Sequence, residues 1–564
     1  MGILHIKIDR YRGLEHFEWQ PSPGINCLIG PGDVGKSTVL AAISLLLSPR
    51  PNPYVSEYDY HKRKVEDGFS ITAVLGDLDD AVKDSFKVPL LRGWKDGKLT
   101  PLPDEDGADD VLVVQAVGTP DLEVAHHVIG PNEDEAPFPV IVRRKLLLTH
   151  IAAEVRAMGE LRLGRGTLLE RYLGTPDLRA AMSDAVANAS EGLELPPAVK
   201  ERLDELCKLF ADADLPAKLH LGLITPQERT LIGLLGLLSG ETVNEAIPVA
   251  FAGTGTAQLA LFELAVSTGG KEPIVVLDEP ETGLEPYRQR RLVRDLRTLL
   301  GTSGQGFLTT HSPAILEVLK PREVTRVMSG GTTASLSQPG VEKMLVEEPD
   351  AFLSRLPVLC EGPTEAGFLS VMLEVEARSV CGSLDTRGIR LVARHGQPSV
   401  LDEAKALLDA GITLGLFVDA ESKHTGHRDE LAEDKRCAFG SWTGVRNIEE
   451  AVATWLPVEQ FSVLLETAAQ VKGSSTDALL QQVGELVGWK GKHTLDEIRT
   501  AFSEADFRSA LKAAMLATDG KAWFKTLEGG RALGKVLLKL GPPKEIADTV
   551  KAFWTEIRRA AEIP

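Results

Sequence analysis

Short apolar runs that stop abruptly at a glycine or a carboxylate, each followed by a stretch of helical periodicity, recur along this chain. Residues 25–29 (INCLI) form such a run; GPGDVGKST follows at 30–38, then the helical VLAAISLLL. Residues 273–277 (PIVVL) stop at Asp278 and Glu279, and residues 306–310 (GFLTT) stop at His311. In the second half, residues 357–360 (PVLC) stop at Glu361, IRLVARHG reads as a further strand, and residues 414–418 (LGLFV) stop at Asp419, with Glu421 close behind. Parallel sheets covered on both faces by crossover helices write this pattern, so the predicted fold class is α/β. Two stretches differ. Residues 151–235 read as helical but are broken by Gly and Pro, which predicts a compact insertion serving either dimerisation or plain core packing. Residues 338–350 (QPGVEKMLVEEPD) read as a linker.

With 564 residues the chain exceeds what one core can hold, and three or four structural units are expected. The longest apolar stretch, 231–238, is far short of the roughly 18 residues needed to span a bilayer, and MGILHIKIDRYRG carries charges where a signal peptide is apolar. A cytoplasmic protein without a membrane partner is expected. Its five cysteines are odd in number and show no CxxC spacing, which argues against a disulfide framework and a zinc site. The formal charge of −19 repels polyanions, so any contact with DNA must come from local basic patches or metal ions.

The segment at 30–38 fits GxxxxGK[ST]. Gly30, Gly32 and Gly35 let backbone N–H groups close around phosphates, Lys36 reaches the β/γ-phosphates, and Ser37 and Thr38 open the helix, with Ser37 a ligand for Mg²⁺. Asp278 is suited to the same ion and Glu279 to polarising the attacking water. Gly253, Thr254 and Gly255 form a turn before a helix, a further place to present N–H groups to a phosphate. His311 reads as either a structural residue or a phosphate sensor.

In the second half, Glu361 ends one strand and Glu365 opens the next helix one turn on, where both carboxylates can face one cleft. Asp419 and Glu421 end another strand, and Glu449 and Glu450 stand near a helix start. So many converging carboxylates are costly unless cations sit among them, and an all-oxygen set suits Mg²⁺ or Mn²⁺.

The first-half segments and their order resemble the ABC ATPase head of the RecF, SMC and OLD group, with Gly253, Thr254 and Gly255 in the place of the signature loop and His311 in that of the γ-phosphate sensor. The EGPTE element at 361–365 and the DAE at 419–421 resemble a Toprim domain, which holds divalent metal for phosphodiester chemistry; Glu421 stands where that family has a second Asp. An ABC head followed by a Toprim domain is the combination of the OLD (overcoming lysogenization defect) family of nucleases. The resemblance implies an ATP-regulated, metal-dependent DNA endonuclease or nickase, homodimeric or larger through its heads, which can be paired with a superfamily-1 helicase and can act in defence against phage. It also implies a catalytic lysine from the C-terminal helical segment, Lys525 first and Lys535 second. The implied layout is an ABC ATPase first part (1–150), a helical insertion (151–235), an ABC ATPase second part (236–345), a Toprim (Rossmann-like) domain (350–460) and a C-terminal helical segment (461–564).

Basic clusters at 61–64 (HKRK) and 143–145 (RRK), and the arginine face of 287–300 (Arg290, Arg294 and Arg297 opposite Leu292, Leu296 and Leu299), read as either solvated surface or DNA backbone contacts. Topoisomerase chemistry needs a tyrosine, and all six precede the carboxylate half. A RecF-like ATP-switched DNA clamp with an inactive Toprim domain is the competing reading.

Overall fold

The computed structural model describes residues 2–563 apart from 84–89, 101–106, 147–148, 152–159, 163–166, 174–194, 224–234, 243–244, 269–273, 329, 339, 381, 395, 421–424, 491–493 and 518–521. The chain divides into two compact units, Met1–Leu336 and Ser337–Pro564.

The first unit pairs two sheets of different character. One is antiparallel and contains Gly2–Tyr11, Leu14–Trp19, Phe69–Gly76 and Asp109–Gly118. The other runs in the order Thr149–Ile151, Ile274–Leu277, Gln305–Thr309, Gly24–Ile29, Val324–Val327, Thr333–Ser335, parallel except for its last strand. Helix Lys36–Leu46 shares one core with residues of both sheets, Ile6, Ile71, Val276 and Phe307 among them. Val39, Leu40, Ile43 and Leu46 supply that buried stripe at helical spacing. Gln305–Thr309 lies between the strands that end at the phosphate loop and at Asp278. Three strand ends therefore meet at one carboxyl edge, where parallel sheets bind ligands.

Within 151–235 the described residues include helices Leu168–Leu173 and Pro197–Asp212, but also strand Leu219–Leu223, paired antiparallel with Leu235–Ser239. The purely helical expectation is corrected there: residues 219–223 alternate, placing Leu219 and Leu221 on one buried face.

The second unit holds a four-stranded parallel sheet in the order Ile389–Ala393, Leu356–Cys360, Leu414–Val418, Cys437–Ser441. The segment expected as a linker instead carries helices Val341–Glu347 and Pro349–Leu353, which bury Val341, Met344, Leu345 and Phe352 within this unit. The C-terminal helices are not a separate layer, since one core runs from Leu356 and Val358 through Trp442 to Trp554 and Ile563. Among the described residues, no helix is long and apolar enough to cross a membrane.

Helices Pro363–Val380 and Leu527–Leu540 approach each other backbone to backbone. A Cβ on Gly530 would stand 2.1 Å from the Thr364 carbonyl oxygen, and one on Gly367 would stand 2.2 Å from the Leu527 oxygen. Thr364 Oγ1 donates to the Phe524 carbonyl at 3.1 Å across the same junction. Gly530→Val is expected to destabilise this unit by about 3 kcal/mol, because neither helix can yield without breaking the crossing. Gly473→Ala, at a helix end with open space around it and φ 59°, is expected to cost only about 1 kcal/mol. Urea unfolding of the two variants measures the contrast, and equal losses would refute it.

Candidate functional sites

In the first unit, the glycines of the phosphate loop are dictated by space. Gly30 has φ 143° and a Cβ there would lie 2.3 Å from the Val327 carbonyl oxygen; Gly35, with φ 96°, would strike Leu14. Gly32 faces open space, as a residue approached by a ligand should. Lys36 is 5% exposed, and its Nζ donates to the carbonyls of Gly30 (3.0 Å) and Pro31 (2.7 Å). Burial lowers its pKa, while Glu279, Asp278 and Asp33 pull it back up.

Ser37 Oγ donates to Asp278 Oδ1 at 3.0 Å, so the two residues expected to share an ion already meet. Thr38 follows inside the helix. Thr309 Oγ1 donates to the same Asp278 oxygen at 2.6 Å and accepts the Glu279 N–H at 3.0 Å. Glu279 turns with φ 47°, a left-handed conformation that only a fixed loop imposes on such a residue, and its Oε1 lies 3.7 Å from His311 Nε2. The His311 N–H donates to Glu281 Oε1 at 2.6 Å. Burial raises the pKa of Glu281, and the bond from His311 opposes that rise. Thr309 and Glu281 escaped the sequence reading. Their signal is the strand order, which inserts Gln305–Thr309 beside the Asp278 strand; the Thr-Thr before His311 is a trace of it.

Gly253 and Thr254 are exposed at the start of helix Thr254–Thr268, and Gly255 is packed so closely on Gly283 that a Cβ would lie 2.1 Å from its carbonyl oxygen. The exposed turn thus rests on the loop after Glu279.

The basic clusters read differently in the structure. Arg290 pairs with Glu317 and Arg297 with Glu323, while Arg294 is exposed. Leu299 is only half-buried; Val293 and Leu300 join Leu292 and Leu296 on the core face. Arg143 is buried, its guanidinium donating to the Ser48 carbonyl at 2.6 Å beyond the C-terminal end of the phosphate-loop helix. Arg290, Arg297 and Arg143 are thus held by the fold, while Arg294 and the side chains of Lys62 and Arg63 remain on the surface, so both readings of these clusters stay open.

In the second unit, Glu361 and Asp419 stand at the carboxyl ends of adjacent strands where the chain switches from one side of Leu356–Cys360 to the other, and Glu361 Oε2 accepts the Asp419 N–H at 2.9 Å. Glu365, 7% exposed, lies in the first turn of Pro363–Val380. Its pKa is pushed up to about 7, first by burial, then by Glu449, with Glu361 adding and Lys525 opposing. Glu449, 3% exposed, is raised chiefly by burial and lowered by Lys525. The charge of Lys525 thus acts on both Glu365 and Glu449; Lys525 and Lys535 are both exposed, Lys535 on helix Leu527–Leu540. Glu450 is a correction: its carboxylate accepts from Lys512 Nζ and from the Arg446 N–H (2.7 Å), so it braces the helix start. The Asn447 side chain caps Ile448–Trp455 by accepting the Glu450 N–H, which sets the phase that turns Glu449 inward. Glu421 lies outside the described residues. Among the described residues, no three His, Cys, Asp or Glu side chains stand close enough together to hold an ion.

Glu365 gives a pH dependence with a definite sign. Its folded pKa of about 7 exceeds the usual 4.5, so between those values the folded state holds a proton that the unfolded state has lost. Stability of the metal-free unit should fall as pH rises through this window, by roughly 3 kcal/mol in all. Denaturant unfolding in EDTA at pH 5 and pH 8 should show that drop, and Glu365→Gln should abolish most of it. An unchanged slope in the variant would reject this assignment.

Residues 164–317 match the family model described as "AAA domain, putative AbiEii toxin, Type IV TA system". That span contains Gly253, Gly255, Asp278, Glu279 and His311 and begins beyond the phosphate loop. The DNA double-strand break repair Rad50 ATPase of Methanopyrus kandleri is 29% identical over 185 residues, which cover 32% of this chain and 20% of that protein. The chain thus matches about a fifth of that relative's length. The sequence matches support an ABC-type ATPase. Among solved structures, an Smc head bound to the C-winged helix domain of ScpA aligns over 59% of this chain and 96% of its own, with TM-score 0.37 and 12% identity. An Smc head with an extended coiled coil bound to the C-terminal domain of ScpA, derived from Pyrococcus furiosus, aligns over 61% and 98%, with TM-score 0.36 and 11% identity. Neither superposition is close enough to bear on the fold of the ATPase unit.

Proposed function

We propose that this chain is an ABC-type ATPase whose second unit is a Toprim nuclease of the OLD type, a divalent-metal-dependent DNA endonuclease or nickase under ATP control. The single observation that carries the nuclease half is the switch point of the parallel sheet. There Glu361 and Asp419 are locked together, with buried Glu365 and Glu449 and the Lys525 ammonium beside them.

In the ATPase unit, ATP is the substrate. The backbone of the phosphate loop and Lys36 bind its phosphates, and Ser37 and Asp278 would hold Mg²⁺, to which their existing hydrogen bond is suited. When bound, the ion neutralises charge on the phosphates. Glu279 orients the attacking water, and His311, tethered through Glu281, faces the γ-phosphate end. The open turn at Gly253 and Thr254 supports a homodimer in which this loop covers a partner's nucleotide.

In the nuclease unit the donors are all carboxylate oxygens, a set that suits Mg²⁺ or Mn²⁺. Glu361, Glu365, Asp419 and Glu449 are the candidate ligands, although no three of them stand close enough together to hold an ion in this structure, and Glu421 is a further candidate. Bound metal supplies an activated water and stabilises the leaving oxygen. Lys525 balances charge that builds on the scissile phosphate. The name of the Rad50 relative supports DNA as the partner. A superfamily-1 helicase partner, a role in defence against phage and a cytoplasmic location rest on the resemblance alone.

The test is cleavage of supercoiled plasmid by the wild-type chain with Mg²⁺ or Mn²⁺, against EDTA, with and without ATP. Metal-dependent nicking is expected. ATP hydrolysis without cleavage under any of these conditions would favour the RecF-like clamp with an inactive Toprim domain.

A further inference from the structure

Two arginines are held against the Asp419–Ala420 peptide at the carboxylate switch point, Arg446 through its main chain and Arg428 through its guanidinium. Arg446 lies in the loop after strand Cys437–Ser441. Its carbonyl accepts the Ala420 N–H at 2.7 Å and its own N–H donates to Glu450 at 2.7 Å, so the loop is pinned directly beside Asp419. Trp442, 2% exposed and edge-on to Phe417 at 5.6 Å, anchors the loop's other end in the core. The Arg446 side chain is exposed. Arg428 Nη1 donates to the Asp419 carbonyl at 3.2 Å, and the guanidinium stacks over Phe439 at 5.6 Å from the ring centre. A protein of net charge −19 whose crevice gathers Glu361, Glu365, Asp419 and Glu449 repels a polyanion until local cations offset it.

We propose that Arg446 and Arg428 form a phosphate-binding rim that seats the sugar-phosphate backbone of a nucleic acid across the crevice, without reading bases. This rests on the nuclease reading of the second unit. Arginine suits the task because its planar fork grips phosphate oxygens bidentately, and a loop fixed at both ends for Arg446 and helix Thr425–Glu433 for Arg428 present it with little entropy to lose. Arg446 is the cleaner probe, since its anchoring runs through main-chain atoms and the Glu450 carboxylate and survives loss of the guanidinium.

The experiment uses the full chain and a short fluorescein-labelled DNA duplex, titrated in Ca²⁺ at several salt concentrations, with plasmid nicking in Mg²⁺ scored separately. Arg446→Ala and Arg428→Ala should each weaken binding roughly five- to tenfold and flatten the salt dependence by about one unit of slope, with Arg446→Lys recovering part of both. In nicking, KM should rise with little change in kcat for Arg446→Ala. Arg378→Ala, at the far end of Pro363–Val380, should leave binding unchanged. Wild-type nicking with unaltered affinity and salt slope in both variants would overturn the rim while sparing the nuclease reading. Failure of the wild type to bind or nick DNA would overturn both. Equal loss in Arg378→Ala would reduce the effect to general charge and also overturn the rim.

Discussion

With Asp419 replaced by alanine, metal-dependent nicking is expected to fall by roughly a hundredfold or more, the loss typical of removing a group that stabilises transition-state charge directly. The reason lies in how the residue is mounted. Its N–H is held by Glu361 Oε2, so strand Leu414–Val418 ends at the same place whatever the side chain, and truncation removes the proposed ligand rather than the fold. Removing one carboxylate from a crowded group also relieves repulsion, so the metal-free variant should be at least as stable as the wild type. Thermal melting in EDTA, Mn²⁺ affinity and plasmid nicking, measured on one preparation, separate these effects. Nicking at the wild-type rate would remove Asp419 from the site.

Lys36→Ala should lower ATP hydrolysis by about a hundredfold or more, since a positioned cation at the transferred phosphoryl group supplies much of such catalysis. The Lys36 ammonium is parked on the carbonyls of Gly30 and Pro31, which hold it over the loop. Binding of a fluorescent ATP analogue should weaken as well, because the lysine meets phosphate in the ground state too. Plasmid nicking by the same variant reports on control. An altered ATP response with the basal rate retained is expected if the head regulates cleavage, and an unaltered response would mean that the two activities are independent. Full ATP turnover in Lys36→Ala would overturn the assignment of the phosphate loop.

Some residues could be read from the sequence because their roles are local. The loop glycines, Lys36 and Ser37 sit in one contiguous stretch, and Glu361 and Asp419 mark the ends of apolar runs. Thr309 and Glu281 could not be read, since each acts on a residue about 30 positions away through the order of strands. Glu449 and Glu450 are neighbours of like charge, and only the Asn447 cap, which fixes the helix phase, tells the inward one from the brace. The arginine face of 287–300 could be read only in part for a related reason: periodicity identifies a polar face, while Glu317 and Glu323, which pair with Arg290 and Arg297 on it, come from elsewhere in the chain. The linker expectation at 338–350 failed because Val341, Met344 and Leu345, spaced for burial, are interspersed with acidic residues that mask them.

The glycine-lined crossing has a consequence for biosynthesis. Thr364 and its partner Phe524 are 160 positions apart, and Glu365 acquires Lys525 only when that junction closes. A ribosome that has already made every carboxylate of the crevice must still make the helix bearing Gly530 before the site gains its ammonium group. The nascent chain would therefore carry an acidic centre without its ammonium group until the segment from Lys525 to Gly530 has been made and the junction has closed.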